Sequence, residues 1–210
     1  MVDLTIIANS VIEGEQEKVR ELVQQAISEG VTADRVLSEG LIAGMNVVGE
    51  RMKTHEMWLP EVLLSAMTMQ EGLDLLKPLL GTTGAGLGPK VVLGTVKGDV
   101  HDIGKNLVGM MLRGAGFQVV DLGINRAAEE FVRAAEEEEA KIVGMSALLT
   151  TTMPEMRNTI EALKAAGIRE KVKVIVGGAP VSPEYATQIG ADGYARDAAR
   201  AVDKVRELVG

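Results

Sequence analysis

The chain has 210 residues, 46% of them hydrophobic and 25% charged, enough for one large or two small domains with real cores. Its net charge of −8, with no basic cluster to offset it, disfavours a nucleic-acid partner, and the absence of cysteine excludes disulfides, thiolate zinc sites and cysteine nucleophiles. No basic leader precedes the first apolar stretch and no apolar run approaches the span of a bilayer, so a cytoplasmic protein without membrane association is expected.

Over 1–80 the apolar residues recur at helical spacing and never alternate as in a strand. The pattern predicts an all-α domain, a four-helix bundle with helices at about 2–12, 15–29, 33–52 and 59–77. Gly14, Gly30 and the segment from Thr54 to Trp58 are the breaks, and Thr32 is placed to cap the third helix. The glycine-rich stretch at 81–89, GTTGAGLGP, reads as a linker. Its GAGLG core does not suit a nucleotide loop, which would follow a strand and open a helix; here a helix precedes it and Pro89 and a strand follow.

A second domain over 90–210 alternates short apolar runs with amphipathic helices: VVLGTV, FQVVDLG, KIVGMSA, VKVIVGG and DGYA are each followed by a helix. Five such units predict a parallel sheet covered on both faces, with right-handed crossovers, and hence an α/β flavodoxin-like (Rossmann-like) domain. In the order 2-1-3-4-5, strands one and three are neighbours whose connections leave in opposite directions, and ligands bind at that switch point. The segments to examine are therefore GDVHDIGKN, SALLTTT and GGAP, which follow strands one, three and four.

In the first of these, His101 is the only histidine of the second domain and stands two residues after Asp99, with Gly98 and Gly104 on either side. A carboxylate that accepts the Nδ1 proton of a loop histidine leaves Nε2 with a lone pair for a metal. The residues alone leave open a plainer reading, a solvated histidine with Asp99 or Asp102 capping the helix that starts near Ile103. Gly104-Lys105 does not make a P-loop, because Asn106 stands where Ser or Thr is required and the upstream glycine is missing.

Taken together, Asp99-x-His101-x-x-Gly104, Ser146-x-Leu148 and Gly177-Gly178 resemble the cobalamin-binding signature, and the intervals of 41 and 28 residues between them match it. In the first domain, GMNVVGERMKTHEMWLPEVLLSA resembles the helical cap that covers the upper corrin face in methionine synthase and in corrinoid proteins of methyltransferase systems. The resemblance spans nearly the whole chain. It implies a cap over 1–80, a linker over 81–89 and a cobalamin-binding domain over 90–210.

The resemblance also implies roles. His101 would displace the cofactor's own base and become the lower axial ligand of cobalt (base-off/His-on), while the released nucleotide tail enters a tunnel beside the sheet. Asp99 would orient His101. Thr152, six residues after Ser146, would end the relay, although the family carries serine there. Gly98, Val100, Asp102, Ile103 and Gly104 would line the cofactor around the ligand. The tail would meet Ser146, Leu148 and Thr150 on one side and Gly177, Gly178 and Ala179 on the other, with Tyr194 beside them; a side chain after strand four would obstruct it. Trp58, Leu59 and Val62 would cover the cobalt, joined by Met45 and Val48, although a bundle-core role suits the methionines better.

A corrinoid methyl carrier follows from that resemblance, its cobalt alternating between Co(I) and methyl-Co(III). It would accept a methyl group from a substrate-specific methyltransferase and yield it to an acceptor methyltransferase acting on tetrahydrofolate or a thiol; a reductive activator is a further expected partner. Such a chain is a cofactor-bearing subunit, not active alone. The alternative is a cobalamin-dependent sensor or regulatory protein, which should bring a DNA-binding module, and none is visible. His55 lacks the second histidine of a helical zinc site, and Glu136–Glu139 reads as the solvated end of a helix.

Overall fold

The computed structural model describes residues 2–80 and 88–210. Its first helix, α1 (Leu4–Ile12), is started by Asp3, whose carboxylate accepts the amide of Thr5 at 2.9 Å and its hydroxyl at 2.7 Å. In α2 (Gln16–Ser28), Val19, Val23 and Ala26 form a single buried stripe. The third expected helix is not uniform: α3 (Ala33–Arg35) passes into a π-helical stretch, Val36–Ile42, and then into α4 (Ala43–Lys53). Thr32 holds the cap position with an extended backbone, but its side chain makes no capping hydrogen bond, which corrects the role expected of it. α5 (Leu59–Leu76) has Pro60 in its first turn, and the Glu61 carboxylate accepts the Trp58 amide at 2.8 Å. Ile7, Leu37, Leu41 and Leu76 are among the fully buried side chains, each contributing about 1.5–3 kcal/mol.

Most of the expected linker, 81–87, and with it all of the GAGLG segment but Gly88, lies outside the described residues. Met1–Gly88 together with Arg113–Gly116 form one compact unit, and Pro89–Leu112 with Phe117–Gly210 the other. Among the described residues no helix is long and apolar enough to cross a membrane.

The second unit runs β1 (Lys90–Val96), α6 (Ile103–Gly114, whose last two residues belong to the first unit), β2 (Gln118–Arg126), α7 (Ala128–Glu137), β3 (Ile142–Ser146), α8 (Pro154–Ala165), β4 (Lys173–Gly177), α9 (Pro183–Ile189), β5 (Gly193–Ala195) and α10 (Ala198–Val209). The strands form one parallel sheet in the order β2-β1-β3-β4-β5, the flavodoxin-like arrangement expected from the alternating pattern. Nearly every residue of β1, β3 and β4 is buried, which is why these segments are continuous apolar runs and not alternating ones. Phe131, Met156, Ile160 and Leu163 pack against them from α7 and α8.

Strands β1 and β3 pair in register from Val91↔Ile142 to Thr95↔Ser146, so the loops after them leave the same edge of the sheet side by side. This is the reversal point of the strand order, where a crevice opens. The β1–β2 ladder is irregular: Leu93 pairs with Asp121, Gly94 with Gly123 and Val96 with Arg126, so β2 gains one residue at each of two steps.

Candidate functional site

The loop after β1 turns at Gly98 and delivers Asp99 and His101 to the crevice. Asp99 is fully buried. Its Oδ1 accepts the ring Nδ1–H of His101 at 2.7 Å and the His101 amide at 3.1 Å. Its Oδ2 lies 2.7 Å from the Leu148 amide, 3.2 Å from that of Leu149 and 2.8 Å from the Thr152 hydroxyl. The same hydroxyl stands 2.9 Å from the Leu149 carbonyl; its single hydrogen goes to the charged carboxylate, the stronger acceptor. Burial raises the Asp99 pKa, but the hydrogen bonds from Leu148, His101 and Thr152 outweigh it and hold the carboxyl well below the usual carboxylate range. Asp99 is thus an anion that keeps a proton on Nδ1 and leaves Nε2 as the basic nitrogen.

The His101 side chain is 46% exposed, and among the described residues Nε2 has no hydrogen-bond partner. The Thr95 hydroxyl, buried in β1, donates to the His101 carbonyl at 2.9 Å and fixes the residue from below. Val100 and Ile103, on either side of it in the chain, and Leu148 and Leu149, whose amides bond Asp99, are exposed apolar side chains, Ile103 at 77%. No group of three His, Cys, Asp or Glu side chains able to hold a metal occurs among the described residues. A metal bound at Nε2 must therefore bring its other ligands with it, and the apolar surround suits a large organic macrocycle that does so. These residues fit a corrinoid.

The other expected contacts divide. Ser146 ends β3, half-buried, beside exposed Leu148 and Thr150. Asp102 is exposed and accepts the Asn106 side-chain amide at 3.1 Å; neither it nor Asp99 accepts a helix-capping amide bond from α6. Gly177 and Gly178 are required by the protein itself: a Cβ at Gly178 would overlap the Ala147 carbonyl oxygen, and one at Gly177 would come 2.8 Å from that of Ala195. The physical reason expected for them, clearance for a passing tail, is not needed to account for them. Gly104 differs, since a Cβ there would meet nothing within 4 Å. Ala179 is exposed, and Tyr194 is half-buried against the core.

In the first unit, Trp58 is 66% exposed with His55 stacked on it at 6.2 Å, and Leu59 is exposed as well. Val62, Met45 and Val48 are buried, and the expectation that Val62 presents a covering surface is corrected. Trp58 precedes the helix with extended backbone (φ −101°, ψ 166°).

Two contributors escaped the sequence reading. Lys105 is buried, its Nζ 2.6 Å from Asp121 Oδ1 and 2.7 Å from Asn106 Oδ1. Asn125 bonds to the loop that carries His101. Lysine beside glycine carries no sign of an ion pair with a residue 16 positions on. Lys105→Met is expected to cost about 1–3 kcal/mol in urea unfolding, less than for a fully buried pair because the Asp121 side chain is 27% exposed.

A B12 binding domain model matches residues 89–203, and a second B12 binding domain model matches residues 4–77. A corrinoid protein of Desulfitobacterium hafniense is 45% identical over 204 residues, 96% of this chain and 94% of the relative. Dimethylamine corrinoid protein 3 of Methanosarcina acetivorans is 43% identical over 203 residues, covering 97% and 95%. Among solved structures, a chain of the methanol:cobalamin methyltransferase complex MtaBC of Methanosarcina barkeri matches with a TM-score of 0.87 at 35% identity, over 97% of this chain and 78% of that one.

Proposed function

The chain belongs to the B12 binding domain family, among the corrinoid proteins of methyltransferase systems, and from that premise we propose that it carries a methyl group between two methyltransferase partners. Its cofactor is cobalamin or a related corrinoid, whose cobalt supplies, when bound, the centre that takes and yields the methyl. One partner, specific for a methylated substrate, loads the carrier; a second passes the methyl to tetrahydrofolate or a thiol. The observation that carries this reading is the Asp99–His101 pair, which presents an unpartnered Nε2 amid exposed apolar side chains.

His101 would hold the cobalt through Nε2. Asp99 fixes the ring by Nδ1–H and remains ionised, with Leu148, Leu149 and Thr152 holding the carboxylate in turn. The Asp99 carboxylate would keep Nδ1–H and the ring orientation in place while Nε2 faces the metal. Threonine at 152 supplies the same hydroxyl as serine. Val100, Ile103, Leu148 and Leu149 would line the corrinoid and keep water from it, Gly104 would allow close approach, and Ser146, Thr150, Gly177, Gly178, Ala179 and Tyr194 would border its nucleotide tail. Trp58 and Leu59 are exposed apolar side chains of the helical unit.

The test is the visible spectrum of the protein reconstituted with methylcobalamin, beside His101→Ala. Wild type should give a base-off, histidine-bound spectrum and the variant a different one, with methyl transfer to an acceptor methyltransferase reduced by at least about tenfold. Retention of the same spectrum and rate in the variant would remove His101 from the role.

A further inference from the structure

We propose that Asn125, at the end of β2, is a positioning residue that holds the His101 loop in its ligand-presenting posture. Asn125 is one of three described non-glycine residues with positive φ, at 54°. Asparagine tolerates that conformation better than most residues, but it still costs free energy that the surroundings must offset.

The offset is visible in its bonds. Its side-chain Oδ1 accepts the Gly98 amide at 2.7 Å, and its own amide donates to the Asp99 carbonyl at 3.0 Å. The two bonds bracket the peptide that leads into His101. Asp99 is therefore held at its carbonyl from β2 and at its carboxylate from the loop after β3.

The irregular β1–β2 ladder makes this reach possible. The second extra residue of β2 lies between Gly123 and Arg126, and Asn125 falls within that step. Bulges of this kind redirect side chains beside functional sites. The first step, between Asp121 and Gly123, carries the other polar tie: Asp121 bonds Lys105, Lys105 bonds Asn106, and Asn106 bonds Asp102 beside His101. Only the Asn125 tie reaches the segment that precedes the ligand.

The proposal rests on His101 being the cobalt ligand, and the experiment separates the two. Asn125→Gly keeps a backbone suited to positive φ and removes the side chain that carries Oδ1; Asn125→Asp keeps an acceptor. Each is loaded with cob(II)alamin, and electron paramagnetic resonance measures the ratio of histidine-off to histidine-on metal by the nitrogen hyperfine pattern. Hydrogen exchange of the Gly98 amide is measured in the cofactor-free protein.

Asn125→Gly should unfold within a few degrees of wild type, exchange Gly98 faster, and raise the off-to-on ratio about three- to tenfold, the factor carried by one net hydrogen bond. Asn125→Asp should restore both readouts. An unchanged ratio in Asn125→Gly, with or without faster Gly98 exchange, overturns the proposal and leaves His101's role intact. A wild type without the histidine nitrogen pattern overturns the ligand reading and this inference with it.

Discussion

Asp99→Ala is expected to cost the fold about 3–5 kcal/mol and to abolish histidine-bound corrinoid, while Asp99→Asn costs about 1–2 kcal/mol yet loses most of the same binding. Alanine leaves the amides of Leu148, Leu149 and His101 without their acceptor at a fully buried position; only the Thr152 hydroxyl has a ready substitute, the Leu149 carbonyl. Asparagine keeps the volume, and its carbonyl will face Leu148, Leu149 and Thr152, whose three donors outnumber the ring N–H and the backbone amide of His101. Its NH₂ is then turned to the His101 ring. Nδ1 must accept, the ring proton moves to Nε2, and the lone pair for cobalt is lost.

The 15N shifts of the His101 ring in the cofactor-free protein should report this change of tautomer, and corrinoid affinity should fall about 10–100-fold. An Nδ1–H ring in Asp99→Asn would sink the argument. A pH series adds a signed check. The folded-state pKa of Asp99 is lowered, so its ionisation stabilises the protein above the unfolded carboxylate value of about 4, and that contribution is lost as pH falls toward the lower folded value. The stability gap between wild type and Asp99→Asn should therefore narrow below about pH 4 in denaturant titrations.

The alternation of apolar runs and helices made the parallel sheet and its strand order readable, because buried parallel strands must be apolar throughout and right-handed crossovers leave few orders. The Asp99–His101 pair was noticeable as a carboxylate and a histidine in the loop at the switch point, whereas Thr152, the last of three consecutive threonines, was singled out only by the resemblance. The π-helical stretch Val36–Ile42 was not, since a changed hydrogen-bond register leaves the apolar spacing almost unaltered. Lys105, Asp121 and Asn125 were missed because their partners are set by two bulges in β2, and a bulge shifts register without a marker in composition. Val62 was assigned to the cover by the resemblance of the cap segment, whereas its side chain is fully buried.

The glycines give the other large effect. Gly178 has φ 129°, which side chains rarely adopt, and its Cβ would overlap the Ala147 carbonyl oxygen, part of the backbone and unable to turn aside. Ala147 in turn donates its amide to the Gly177 carbonyl at 3.2 Å, so the loops after β3 and β4 are held face to face and cannot separate cheaply. Gly178→Ala should cost about 4 kcal/mol or more, the range of overpacking and backbone strain combined, and leave little folded protein at 37 °C. Gly104→Ala should do the opposite. It lies in α6, where an added methyl would meet nothing within 4 Å, so alanine is expected to stabilise the helix by about 0.5–1 kcal/mol. No contact within the protein calls for glycine there, whereas a macrocycle seated over His101 would. Melting curves and corrinoid titrations of Gly104→Ala should therefore move in contrary directions, a higher midpoint with affinity about tenfold weaker. Equal affinity in that variant would mean that the cofactor does not come close to α6 at its first turn, and the contacts assigned to Ile103 and Gly104 would have to be withdrawn.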